Sequence, residues 1–175
     1  MKRFAFISML LVALCTNMLA QEADTAAPEE QPKGWIYGEL DMASMDAKLP
    51  YAICNSNEVI EGRTGKLAAA IWVVKMPNGT FKILVKSSTE PFAVDQNQLQ
   101  SVLIQFDDNK ASNYPLSGSN NDRESAGLNF NDVYKNRFQK GMAKAQVCKM
   151  KITFVESGEQ ELTFNVGDLK DEFKK

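Results

Sequence analysis

Histidine is absent from the 175-residue chain. That removes serine–histidine and cysteine–histidine catalysis, histidine-ligated zinc and the usual proton carrier near neutral pH. Cysteine is scarce, with only Cys15, Cys54 and Cys148. No two stand at CxxC spacing, so neither a dithiol redox pair nor a four-ligand zinc site is written in the chain. No apolar run suited to crossing a bilayer follows residue 20. An excess of positive charge is also missing, since 20 Lys and Arg face 22 Asp and Glu. A mildly acidic chain is a poor general nucleic-acid binder. Gly62-Arg63-Thr64-Gly65-Lys66 has Ile60 and Leu67 where a phosphate-binding loop needs Gly and Ser or Thr, so it reads as a turn. No cofactor and no metal centre is expected.

The beginning of the chain carries an address. Lys2 and Arg3 precede an apolar run over 4–15, followed by Ala20, which suits the last residue of a cleaved export signal. Cys15 opens a lipoprotein alternative, but Leu14 before it is not the small residue that lipidation wants. The short apolar region ending at Ala20-Gln21 resembles export signals of Bacteroidetes. The expected domains are a signal peptide over 1–20, a disordered acidic tether over 21–33 and a single β-rich domain over 34–175. The tether, QEADTAAPEEQPK, has no large apolar residue and cannot offset the entropy of ordering. Within it, Asp24-Thr25-Ala26 resembles the Asp-Thr-small motif at which Bacteroidetes attach O-glycans, which makes Thr25 a glycosylation candidate. A periplasmic or secreted protein is expected.

The domain is organised around 66–86, two strands joined at Pro77-Asn78-Gly79. The first strand is apolar on both faces, with Ala68, Ala70, Trp72, Val74 and Met76 on one and Leu67, Ala69, Ile71 and Val73 on the other. Such a strand is expected to have the sheet's other half or a helix over its second face. Further strands are predicted at 35–40, 49–55, 99–106, 111–116, 146–155 and 160–166, with 59–60 extending a ribbon. Polar 117–125 reads as a loop. Asn131 or Asp132 caps a helix over 131–145, whose stripe is Tyr134, Phe138 and Met142. Gly141 weakens that helix by roughly 1 kcal/mol relative to Ala. The fold class is mainly β: an antiparallel β-sandwich or open barrel of seven or eight strands with one amphipathic helix packed on it. An early Trp, a strand ending in Phe106-Asp107, a polar loop, a basic amphipathic helix and a closing hairpin resemble small uncharacterised secreted β-sandwich proteins of bacteria. The resemblance implies fold and address, and no active site.

Cys54 and Cys148 remain after processing, and an even count in an exported chain permits a disulfide. The other reading is two separate buried thiols. Carboxylates are the remaining enzymatic route: Asp107 and Asp108 at a strand end, with Asp122 and Glu124 in the loop, could form a glycosidase pair. Asn109, Asn120 and Asn121 add oxygen ligands for calcium, but the ordered calcium-loop pattern is missing. The least random feature is basic. Lys135, Arg137, Lys140, Lys144, Lys149 and Lys151 crowd a short stretch, and if helix and strand pack side by side they form one positive patch. A solvated helix and strand face accounts for the same residues. The expectation is an exported, non-catalytic envelope binding or accessory protein, whose partner is an envelope protein or an anionic glycan or lipid, with no nucleic acid. The alternatives are a small carboxylate-dependent glycan hydrolase and a lipocalin-like carrier of a small molecule.

Overall fold

The computed structural model describes residues 34–42, 47–62, 65–93, 99–118 and 127–174. The expected signal peptide, the tether with Thr25, and Asn120, Asn121, Asp122 and Glu124 lie outside the described residues. No helix among the described residues is long and apolar enough to cross a membrane.

In chain order the elements are β1 (Trp35–Met42), β2 (Ala47–Asn55), β3 (Ile60–Gly62), β4 (Gly65–Leu67), β5 (Ala69–Lys75), β6 (Phe81–Ser87), β7 (Leu99–Phe106), β8 (Ser112–Gly118), β9 (Gly127–Phe130), helix α1 (Asp132–Met142), β10 (Val147–Phe154), β11 (Gly158–Asn165) and a 3-10 turn at Asp171–Phe173. Nine strands form one antiparallel sheet in the order β1-β2-β5-β6-β9-β8-β7-β10-β11, and β3 pairs with β4 apart from it. The fold is mainly β with one helix, as the alternation predicted. Among the described residues its strands number eleven, where seven or eight were expected. The addition with most consequence is β9, four residues that join β6 to β8 and so weld two meanders into one sheet.

The sheet is not a closed barrel, because β1 and β11 are both edges. It curls until the end of β2, which runs on past β1, reaches β11. Ser56 bridges to Phe164, Asn57 N–H donates to the Thr163 carbonyl at 2.7 Å, and the Trp35 indole N–H donates to the Val166 carbonyl at 2.9 Å. Period-two alternation decides which side chains fall inside the curl. Ile71 and Val73 of β5, Ile83 and Val85 of β6, Val102 and Ile104 of β7, Met150 and Ile152 of β10, and Leu162 and Phe164 of β11 are all buried. Helix α1 adds Phe138 and Met142 to the same core.

Local chemistry accounts for the joints. Gly79 takes φ 78°, which an L side chain resists, and the Asn78 side chain accepts from Thr80 N–H and hydroxyl at 3.1 and 2.7 Å. Pro50 is tolerated in an inner strand because β2 meets β5 only from Tyr51 onward. Asn131, not Asp132, caps α1, accepting Tyr134 N–H at 3.1 Å.

One expectation about packing is not met. The inner face of β5 lies in the core with the helix residues Phe138 and Met142, whereas on its outer face Val74 is buried but Ala70 and Trp72 are only half-buried. The helix packs on the core side, where Phe138 stands 4.4 Å from Phe130 and 5.4 Å from Phe106, measured between ring centroids.

Candidate functional site

The six predicted basic residues do not form one patch. Cys148, Met150, Ile152 and Phe154 of β10 turn into the core, so Lys149 and Lys151 face the outer side of the sheet. Helix α1 lies on the inner side, through Phe138 and Met142. The sheet therefore separates the strand lysines from the helix cations. Lys151 is also engaged, donating to Glu159 Oε1 at 2.9 Å, which raises its pKa. Lys135 reaches back one turn to Asp132 at 2.6 Å, and the resulting hydrogen bond and charge hold the Asp132 carboxyl below its usual range. Lys140 is exposed near the end of the helix.

Arg137 of α1 and Lys144, two residues past its end, are left beside the β7–β8 hairpin. There they line a groove of about 420 Å³ with Lys110, Asn109 and Ser112. Its apolar wall is Ile104, Phe106 and Tyr114, and Gly141 of α1 with Ala145 beyond the helix end form the opposite side. Arg137 is held in place twice. Its guanidinium donates to Ser112 Oγ at 3.0 Å and lies over the Tyr114 ring, 5.2 Å from the centroid. Burial pushes the Tyr114 hydroxyl above its ordinary pKa, and the neighbouring guanidinium pulls part of the way back.

The one carboxylate among the groove's lining residues is tied to the backbone through one of its oxygens. Asp107 Oδ1 accepts the backbone N–H groups of Gln146 and Val147, both at 2.9 Å. Its φ of 47° is the left-handed conformation that Asp tolerates better than most residues. Asp107 thus ties the end of β7 to the start of β10. Asp108 beside it is exposed, and no group of three or more His, Cys, Asp or Glu that could hold a metal occurs among the described residues. The groove presents three cations, one occupied carboxylate and an aromatic wall. That combination can hold an anion bearing apolar or planar surface.

Lys110 escaped the sequence argument because it stands apart from the basic cluster, on the β7–β8 turn. A signal was present: the Asp107-Asp108-Asn109 turn brings Lys110 back toward whatever packs on the end of β7.

Cys54 and Cys148 are free, buried thiols in this structure, the second of the two readings. Phe164 is paired with Cys148 across β10–β11 and bridged to Ser56, two residues past Cys54, so β11 stands between the two cysteine strands. Burial pushes the Cys54 thiol up to about 12, partly countered by its bond to the Asn165 carbonyl at 3.2 Å. Burial, and then the nearby Cys54, push Cys148 well above the usual thiol range.

No family model matches the chain, and no curated protein does. Among solved structures, the chain is similar to invasion associated protein B from Bartonella henselae, with 15% sequence identity and a TM-score of 0.45. The match covers 78% of this chain and 87% of that one.

Proposed function

We propose that this is an exported, non-catalytic binding protein of the cell envelope that holds an acidic partner in the groove between α1 and the β7–β8 hairpin. The observation that carries the reading is the convergence of Lys110, Arg137 and Lys144 on one groove whose carboxylate is already committed to two backbone N–H groups. An anion entering there meets three cations and one carboxylate, Asp107, whose Oδ1 is held by the backbone. The positive charge is local, on a chain whose overall balance is slightly acidic, so attraction is directed to one face. The export reading of 1–20 supplies the compartment.

The two alternatives draw less support. A carboxylate-dependent hydrolase needs two free acids, and Asp107 is engaged. A lipocalin-like carrier needs an interior space, whereas large side chains such as Phe138, Phe154, Phe164 and Phe173 are fully buried within the curl.

The test is retention of the mature protein on vesicles containing lipopolysaccharide, a phosphate-rich anionic surface, across a salt series. Wild-type protein should bind, and more weakly as salt rises. The triple substitution Lys110→Ala, Arg137→Ala and Lys144→Ala, all at exposed positions, should lose most of that binding with unchanged circular dichroism. Retention by the triple variant equal to wild type would overturn the groove as the site.

A further inference from the structure

The outer face of β1, β2, β5 and β6 carries a run of apolar side chains, with Val74 and Leu84 buried, Tyr51, Ile53 and Trp72 half-buried and Ile36 exposed. Ile36 lies opposite Ile53, Ile53 opposite Trp72, Trp72 opposite Leu84, and Tyr51 opposite Val74. The face is not flat. Small side chains at Ala68 and Ala70 leave a cleft of about 320 Å³ between Ile36 and Ile53 on one side and Trp72 and Lys86 on the other. Asn55, Ser87 and Ser88 supply its polar rim, and Lys86 is the single charged residue lining it. The hydroxyl oxygens of Ser87 and Ser88 accept backbone N–H from Glu90 and Ala68, which leaves each O–H able to donate. Tyr51 stacks on Trp72 at 5.5 Å, and Lys86 Nζ rests 4.6 Å from the Trp72 ring centroid.

We propose that this cleft is a second binding site, separate from the basic groove, and that it takes a carboxylated sugar ring of the uronic-acid class. A sugar ring is an amphipathic plate, with C–H groups on its faces and hydroxyls around its edge. Trp72 and the alanine floor match the face, and Asn55, Ser87 and Ser88 match the edge. Charge complementarity selects the carboxylate, because one ammonium and no acid lines the cleft. The ammonium over Trp72 is an exposed cation–π contact of the weak kind. Moving Lys86 from the indole to a carboxylate pairs the charge and uncovers the ring face that the sugar then occupies. The volume sits at the lower end of small-ligand sites, which suits a short saccharide rather than a folded protein.

The experiment titrates the mature protein with galacturonic acid and its trimer, and with galactose as the uncharged counterpart. The readout is the pair of indole N–H signals in a proton–nitrogen correlation spectrum. The Trp72 signal should move, while that of Trp35, bonded to the Val166 carbonyl, should stay. Lys86→Met should weaken uronate binding about tenfold or more without altering the fold. Ala70→Leu, which fills the cleft from its floor, should abolish binding. Arg137→Ala with Lys144→Ala should leave it unchanged, so this site and the basic groove stand or fall separately. No movement of Trp72 with the trimer would overturn the site. Equal binding of galactose would overturn the assignment of Lys86 to a carboxylate, and loss of binding in the Arg137/Lys144 variant would transfer it to the groove.

Discussion

Glu90 is the one acidic side chain buried among the described residues. Its carboxylate accepts the backbone N–H groups of Glu156 and Ser157 and the Ser157 hydroxyl, closing the β10–β11 turn onto the segment after β6. Burial pushes the carboxyl up, but the three donors outweigh it and hold the pKa below the ordinary glutamate value. A depressed carboxylate pKa stabilises the fold above the unfolded-state value, and that contribution disappears as pH falls through the folded-state value. Glu90→Ala should therefore cost about 2 kcal/mol at neutral pH, the range for hydrogen bonds to a charged acceptor, because it removes three of them from a buried carboxylate. The gap between variant and wild type should narrow below about pH 4. Urea unfolding followed at neutral and acid pH checks both statements, and a gap that widens toward acid would contradict them. Nothing in the sequence around Glu90 announces this role. Its partners are 66 and 67 residues away, and only the fold brings them together. The same holds for Asp107, read beforehand as a candidate catalytic or calcium-binding acid and found to be a backbone clamp.

At the scale of elements, periodic stretches were legible and non-periodic ones were not. Leu162, Phe164 and Val166 alternate cleanly, and β11 with its buried face follows. Tyr134, Phe138 and Met142 recur every four residues, and α1 follows, with the apolar Val133 left 77% exposed outside that stripe. In β9 only Leu128 and Phe130 alternate, too short a signal to separate from loop, yet that strand sets the order of the whole sheet. The candidate groove was half legible. Arg137 and Lys144 stood in the basic cluster, whereas Lys110, Tyr114 and Phe106 depend on how α1 crosses the β7–β8 hairpin. Gly141 is what lets it cross so closely. By propensity alone Gly141→Ala should stabilise the helix by roughly 1 kcal/mol. A Cβ there would overlap the Phe106 ring, which also packs against Phe138. Overpacking of this kind costs typically about 1–3 kcal/mol, so the net effect should be destabilising. A lower urea midpoint for Gly141→Ala is the expected result, and a raised midpoint would mean that the ring moves aside freely.

At the scale of the molecule, the curl holds only if its seam is closed, and the seam is not closed by a strand ladder along its length. The segment after β11 does the rest. Leu169 and Phe173 are buried at 2% and 1% exposure, although the sequence around them is rich in charge. Phe173 packs against Tyr37 of β1 at 5.7 Å, and its carbonyl accepts from Gln139 of α1 at 3.1 Å. The Tyr37 hydroxyl accepts Lys170 N–H at 3.0 Å and donates to the Asp168 carbonyl at 3.2 Å. This one segment thus ties the first strand and the helix to the last strand. Phe173→Ala should then cost about 3–5 kcal/mol, the range for a large aromatic lost from a core, although it lies in a three-residue turn. Its effect should also be local before it is global. Cys54 bonds to the Asn165 carbonyl across the seam, while Cys148 lies within β10, paired on both sides by β7 and β11. A thiol reagent should reach neither in the native protein, since both are fully buried and the thiolate is disfavoured. In Phe173→Ala, the seam should open more often than the sheet unfolds, so Cys54 should be labelled faster than Cys148. Mass spectrometry of partly labelled protein distinguishes the two sites. Equal labelling rates would show that the seam and the sheet come apart in a single step.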